Sequence, residues 1–303
     1  MVESSDRTVT VIIPTLALAE RAEHIRRAID SVLQQQDVHA TPLVVVNGRW
    51  TDESVVRGLR SRTDIRLTEL PDANLPAALA AGRRLVATRW FAELDDDDLL
   101  LPEALASRLR LLERDRALDA VVSNGIVRGT TGDVPAIEDV EHVAGDPLAA
   151  LGKATWLSPG SALFRTASVP PEFFDAVPQY LEWTYLAVRL AQSYKLGFLP
   201  EATFVHHLGT PHGIWGSAAC TLGIPPALQR VLGLDLPSAL RSTFAKRLGD
   251  AWHHAAAIHL HDGRLRAAMG SHWRCLISAR GWRYLPFTGK LLIGLVTAPA
   301  PST

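Results

Sequence analysis

The sequence predicts an α/β fold: a mostly parallel, Rossmann-like sheet flanked by helices over residues 1–215, and a C-terminal helical subdomain over 216–303. Three observations carry this reading. Through the first hundred residues, short apolar runs bounded by Pro, Gly or Asn alternate with amphipathic stripes of helical period, the spacing of βαβ units. The makeup, 47% hydrophobic and 21% charged over 303 residues, suits a globular chain with one large domain or a large and a small one. Near Gly216 the strand pattern gives way to long helical stripes.

In order, Thr8-Val9-Thr10-Val11-Ile12-Ile13-Pro14 reads as a buried strand stopped by proline. From Glu23, apolar residues at Ile25, Ala28, Ile29, Val32 and Leu33 form the i, i+3, i+4 stripe of an amphipathic helix. Pro42 to Val46 is a second buried strand ending at Asn47-Gly48, and a helix follows from Asp52 with Val55, Val56 and Leu59 inward. Ile65 to Thr68 is a third strand, Pro76 to Val86 an alanine-rich helix, and Trp90 to Leu94 a fourth strand. Pro102 opens a helix with Leu105, Leu109 and Leu112 on one face. Ala120 to Ser123 is a further strand, and Gly125 to Asp146 holds a hairpin or a mobile loop. Ser158 to Arg165 reads as a loop feeding an edge strand, Leu181 to Gln192 as a helix, and Leu196–Leu199 and Phe204–His207 as short extended pieces. The subdomain is read as two helices, one from Pro237 to His261 closed by Asp262-Gly263, the next carrying Leu265, Ala268, Met269, Trp273 and Leu276.

Open parallel sheets bind ligands beyond the carboxyl ends of their strands. Three loops therefore meet on one edge: Pro14-Thr15, Asn47 to Asp52, and Asp95 to Asp98. The last is an unbroken run of four carboxylates, which raise one another's pKa unless water, a helix N-terminus or a divalent cation offsets the repulsion. Two aspartates one residue apart on a loop can present one carboxylate to Mg²⁺ or Mn²⁺ and the other to the ligand or the metal's waters, while substrate phosphates complete the shell. The alternative is a solvated acidic loop whose last Asp caps the next helix. Position at the end of a buried strand, beside two other ligand-edge loops, favours the cation.

Order and spacing of these segments resemble a family 2 glycosyltransferase of the GT-A fold. The family's strand ending in Pro-Thr, its helix with "SVLxQ", its "VVDDGSTDES" segment and its "FLDDDDLLLPE" segment correspond to Pro14-Thr15, Ser31 to Gln35, Val45 to Ser54 and Ala92 to Glu103. The resemblance implies an inverting, metal-dependent transferase of the kind that builds surface polysaccharides. It would take a nucleotide-diphosphate sugar (UDP-sugar favoured) and a saccharide or lipid-linked saccharide acceptor, with Mn²⁺ or Mg²⁺ as cofactor. Pro14 and Thr15 would line the nucleotide pocket and Asn47 would meet the base. Asp97 would bind the metal directly, Asp95 would lie nearer the ribose as a second metal contact, and Asp96 counts with the nucleotide-sugar contacts. Glu182 aligns with the first acid of the family's catalytic pair and would take the acceptor's proton, with Asp175 in reserve. Phe204-Val205-His206-His207-Leu208-Gly209-Thr210 is similar to an aromatic-Arg-x-His-x-Gly-Ser segment, which points to His207 at the metal or diphosphate. Gly160 and Ser161 fit a loop whose backbone approaches the donor sugar or acceptor closely. Gly48, Arg49 and Trp50 stand where the family has Asp-Gly-Ser, Leu79 and Ala80 where it has Arg and Asn, and Trp183 where it has the second acid. These departures keep a catalytically silent nucleotide-sugar-binding protein as the alternative.

A net charge of -1 gives no support to a nucleic-acid partner. Cys220 and Cys275 form no metal-type spacing and suit a reducing cytoplasm. Met1 to Thr8 is polar and shows no signal peptide, and the apolar run Leu291–Val296 is too short to span a bilayer. From Gly263 onward there are six cations (Arg264, Arg266, Arg274, Arg280, Arg283, Lys290) and no carboxylate side chain. With Trp273, Trp282, Tyr284 and Phe287 interleaved, the segment reads either as a peripheral contact with anionic membrane at the inner face of the cell membrane, or as a solvated arginine face that packs its aromatics inward.

Overall fold

The computed structural model describes residues 7–210 and 216–297. Its first compact unit holds the described residues up to Val177 and from Glu182 to Thr210; the second holds Pro178–Leu181 and the described residues from Gly216 onward. The boundary read from the sequence, after residue 215, adjoins residues 211–215, which lie outside the described residues.

The first unit begins with β1 (Thr8–Thr15), α1 (Ala22–Leu33), β2 (His39–Asn47), α2 (Glu53–Ser61), β3 (Arg66–Leu70), α3 (Leu75–Leu85) and β4 (Trp90–Glu93). Side-chain caps start two of these helices: the Asp52 carboxylate accepts from the Ser54 and Val55 amides, and Asn74 accepts from Ala77 with Pro76 in the first turn. There follow β5 (Leu99–Leu100), α4 (Ala104–Arg114), β6 (Ala120–Gly129), β7 (Gly132–Pro135), α5 (Val140–Gly145), α6 (Pro147–Ala150), β8 (Ala162–Arg165), α7 (Glu182–Ser193) and β9 (Leu196–His207).

One sheet takes in all nine strands, in the order β3-β2-β1-β4-β8-β6-β9-β5, with β7 hairpinned onto β6. The parallel expectation holds from β3 to β4. The other half is mixed, because β8 lies antiparallel between β4 and β6. It is thus a central strand and not the edge strand read from the sequence. Nor does Pro14 end β1. In that strand Ile12 faces β4, accepting from the Leu94 amide, and by the two-residue period so does position 14. β4 stops at Glu93, opposite Ile12, so the missing proline N–H costs no ladder bond.

The alternation of β1 and β4 divides the core. Val9, Val11, Ile13, Trp90, Ala92 and Leu94 turn toward Ile25 and Ile29 of α1 and Leu105 and Leu109 of α4. On the other face Phe91 stacks on Phe164 at 4.9 Å, and Gly82 brings α3 directly onto Ile12 and Val45. Glu93 shares this second face with Phe91, which fixes where its carboxyl is buried.

The second unit contains α8 (Ala218–Leu232), α9 (Ser238–His261), α10 (Leu265–Leu276), a 3-10 turn (Gly281–Tyr284) and α11 (Phe287–Thr297). The long stripe and its successor are α9 and α10. α8 escapes the sequence reading because Pro225 and Pro226 sit in its interior, where proline removes an intrahelical bond. Among the described residues no helix is long and apolar enough to cross a membrane.

Candidate active site

The acids start where β4 stops. β5 pairs with Phe204 and Val205 of β9, so Asp95 to Asp98 carry the chain from the sheet centre to its far edge. Asp98 is fully buried and clamped by β9: one oxygen bonds His206 Nδ1 at 2.8 Å, the other accepts the His207 amide at 2.9 Å. It does not cap α4, whose N-cap position is Glu103. Asp96 is turned inward, held by the Arg21 guanidinium through both oxygens and by the Thr15 hydroxyl at 2.5 Å. Asp97 Oδ2 receives Arg21 Nη2 at 3.1 Å and the Thr210 hydroxyl. Asp95, Asp97 and Asp98 each offer an oxygen, all within 4.8 Å of one another.

The electrostatics of the run follow from this packing. Burial, then the charges of Asp98, Asp97 and Asp96, pushes Asp95 well above the carboxylate range. Burial likewise raises Asp98, although the His206 hydrogen bond works against it, and the same bond raises His206. Glu93, 4% exposed, is pushed well up by burial, then by the charges of Asp95 and Asp98, the nearby Asp95 carboxyl as hydrogen-bond neighbour, and Glu182. Carboxylates thus outnumber Arg21 and His206 at this edge, even with the imidazole counted as charged. A group of three hard oxygen donors whose ionisation is only partly offset by its neighbours fits Mg²⁺ or Mn²⁺, whose charge would favour the ionised form of all three.

The remaining expected residues fall into two groups. Pro14 and Thr15 close β1 beside the acids, and Thr15 Oγ1 is occupied by Asp96 and by the Ala17 amide. Asn47, expected at the base, is buried; Nδ2 donates to the Thr15 carbonyl and Oδ1 accepts from the Asn74 amide, which leaves one N–H and one lone pair of the side chain. It braces the edge loops. Gly160, at φ +73°, donates to the Glu93 carbonyl at 2.9 Å, and a Cβ there would come within 3.1 Å of Leu94. The Ser161 hydroxyl closes its own turn onto Ser158. Glu182 is buried at the start of α7, close enough for its charge to raise Glu93. Asp175 is instead paired with Arg84 at an exposed position. His207 does not join the group of candidate ligands; its Nδ1 is buried without a hydrogen-bond partner, and Asp98 takes the third place because β9 presents the neighbouring ring and the backbone to it.

Four side chains, Arg21, Thr210, Glu93 and Arg108, escape the sequence reading. Arg21 lies 75 residues from Asp96, and no local pattern ties a short 3-10 turn to a distant acid. Thr210 and His206 meet the run only because β9 pairs with β5. Glu93 did carry a signal: a carboxyl inside an otherwise apolar strand of a buried sheet is rare without a partner or a task. Arg108, fully buried in α4, donates to Ser123 Oγ at 2.9 Å, to Thr203 Oγ1 and to the Gly160 carbonyl, and so anchors the Gly160 turn from beneath.

The model of glycosyl transferase family 2 matches residues 10–165, the span from β1 through β8. No curated protein sequence matches the chain. Among solved structures, it is similar to S. aureus TarS 1–349 at 12% identity, with TM-score 0.55, covering 86% of this chain and 82% of that one. The same TarS fragment in complex with UDP-GlcNAc gives 0.54 at 12% identity over 95% and 87%. The mannosyltransferase PcManGT from Pyrobaculum calidifontis, in complex with GDP-Man and Mn²⁺, gives 0.51 at 19% identity over 95% and 86%.

Proposed function

The chain belongs to glycosyl transferase family 2, and from that premise we propose that it transfers a sugar, with inversion and with a divalent cation bound, from a nucleoside-diphosphate sugar to a hydroxyl of a saccharide or lipid-linked saccharide. The observation that carries the metal-dependent part is the convergence of Asp95, Asp97 and Asp98 within 4.8 Å at the carboxyl end of β4. Asp97 would hold the cation with Asp95 as a second contact, Asp98 being braced beside them by β9, and Mn²⁺ or Mg²⁺ would supply charge neutralisation for the departing nucleoside diphosphate. Arg21 and Thr210 both engage Asp97 through Oδ2. Gly160 lets the chain pass close to the end of β4 where a side chain would intrude.

Glu182 accepts the proton of the acceptor hydroxyl as it attacks the anomeric carbon. Burial at the start of α7, near Glu93, supports this over Asp175, which lies at an exposed position. The nucleoside-diphosphate donor is supported by family membership and by folds similar to proteins crystallised with UDP-GlcNAc and GDP-Man.

The test is a screen of UDP-, GDP- and dTDP-sugars, UDP-sugars first, with Mn²⁺ or EDTA, following both binding and nucleotide release. Release that depends on Mn²⁺ and disappears in Asp97→Ala is the expected result. Full activity in Asp97→Ala overturns the metal assignment. Glu182→Gln is expected to bind donor normally and transfer nothing; surviving transfer moves the base elsewhere. Metal-dependent binding without turnover, with saccharide and lipid-linked acceptors supplied, would mark a silent nucleotide-sugar-binding protein instead.

A further inference from the structure

α10 is apolar on the side that faces away from its own core. Its buried residues, Ala268, Ser271, His272 and Cys275, share one face, while Met269, Trp273 and Ile277 follow at i, i+4 and i+8 on the opposite one. Trp273 is 64% and Ile277 67% exposed. The chain then turns sharply: Gly281 sits against the Cys275 carbonyl, so closely that a Cβ would collide with it, and Arg280 adopts a left-handed φ of 62°. That turn places Trp282, 70% exposed, just beyond the end of the stripe, followed by Leu285 and Leu292. Six of the eleven large exposed apolar side chains of the described residues thus lie between 269 and 292, which makes the concentration a patch and not scatter.

The charges around it have one sign. Arg264 and Arg283 are paired with Asp262 and Asp250, whereas Arg266, Arg274, Arg280 and Lys290 have no carboxylate partner among the described residues. The other aromatics of the segment turn inward, Tyr284 stacking on His253 at 4.0 Å and Phe287 packing on His253 and His272. Inward packing of every aromatic is therefore ruled out, and the outward tryptophans need another occupant.

We propose that the outer face of α10, with the Gly281–Tyr284 turn and the start of α11, docks on an anionic lipid bilayer. Trp273, Ile277, Trp282 and Leu285 enter the headgroup boundary, and Arg266, Arg274, Arg280 and Lys290 meet lipid phosphates. Among partners with an apolar face, a second copy fits less well: a two-fold contact would set the same four cations against themselves with no acid to offset them. The surface lies wholly in the second unit and does not depend on the catalytic reading.

The test is co-sedimentation of the full chain with phosphatidylcholine vesicles, with and without phosphatidylglycerol. The protein is expected to pellet only with the anionic vesicles and to be released by high salt. Arg266→Gln with Lys290→Gln should weaken partitioning by about 25-fold, at about fivefold per cation. Trp273→Ser with Trp282→Ser should abolish pelleting. Both side chains are exposed, so far-UV circular dichroism and donor binding should match the parent and separate loss of docking from loss of fold. Failure of the parent to bind anionic vesicles, equal binding to neutral ones, or unchanged binding by the variants overturns the proposal. A concentration-dependent dimer that the tryptophan variants dissolve, without vesicle binding, would assign the patch to a second copy.

Discussion

Arg21→Gln is the sharpest test of how the acid run is held in a folded chain. Arg21 grips both oxygens of Asp96 and reaches Asp97 Oδ2 at 3.1 Å, and Asp96 keeps only the Thr15 hydroxyl when the guanidinium is removed. Breaking a buried ion pair on one side costs about 3–5 kcal/mol. Protonation sets a ceiling: a carboxyl of ordinary pKa 3.8 is neutralised at pH 7 for about 4 kcal/mol, after which the buried charge is gone. We therefore expect a loss of about 3–4 kcal/mol at pH 7, or about 6–16 °C in the melting temperature for a unit of this size. The sign of its pH dependence follows. Burial already holds Asp96 above its ordinary value, and Arg21 pulls it part of the way back. Without Arg21 it rises further, so the deficit is largest near neutrality and closes as pH falls and Asp96 takes up a proton in parent and variant alike. Calorimetry in EDTA and in Mn²⁺ is the assay. A bound dication beside Asp97 replaces part of the lost positive charge, so Mn²⁺ should raise the variant's melting temperature more than the parent's. A deficit under about 1 kcal/mol in EDTA, or one that grows on acidification, would refute the argument.

Arg108→Met removes three buried donors from Ser123, Thr203 and Gly160, and should cost about 1–3 kcal/mol while accelerating exchange of the Gly160 amide. Unchanged exchange would detach Arg108 from the turn. Gly82→Ala places a Cβ about 2.5 Å from Ile12 Cγ2 and 3.3 Å from Val45 Cγ2, so urea denaturation should show a loss of about 1–3 kcal/mol. In the second unit, burial lowers His272 and His253 below the ordinary 6.5. The unfolded chain then binds more protons than the folded one, so stability is complete above 6.5 and is lost as pH falls through the lowered values. His272→Gln, which can still meet the Thr288 hydroxyl, should flatten that acid-side decline in circular-dichroism melts.

The four carboxylates illustrate how far local pattern reaches. Adjacency and the preceding apolar strand announce a site, yet adjacent acids on a turn point in different directions. Asp96 goes to Arg21, Asp97 to Arg21 and Thr210, and Asp98 to β9. Each choice is made by a partner 75 or more residues away in the chain. Asn47 shows the same reach: its amide ties the ends of two distant segments, Thr15 and Asn74, together. Contacts of short range are of another kind: the Asp52 and Asn74 caps find their partners within three residues.

By itself the sequence determined the alternation of strands and helices from β1 to β4, the edge on which their loops meet, the acidic run, and the two long helices of the second unit. These depend on period, capping and strand-end position, which neighbouring residues impose on one another. Only the tertiary structure decided that β8 enters the sheet antiparallel beside β4, that Asp98 gathers with Asp95 and Asp97, that Arg21 restrains two of the four carboxylates, and that Trp273 and Trp282 face outward. Each of those outcomes is set by which distant surface wins the competition for a buried group or an apolar face, and that competition exists only once the chain has closed on itself.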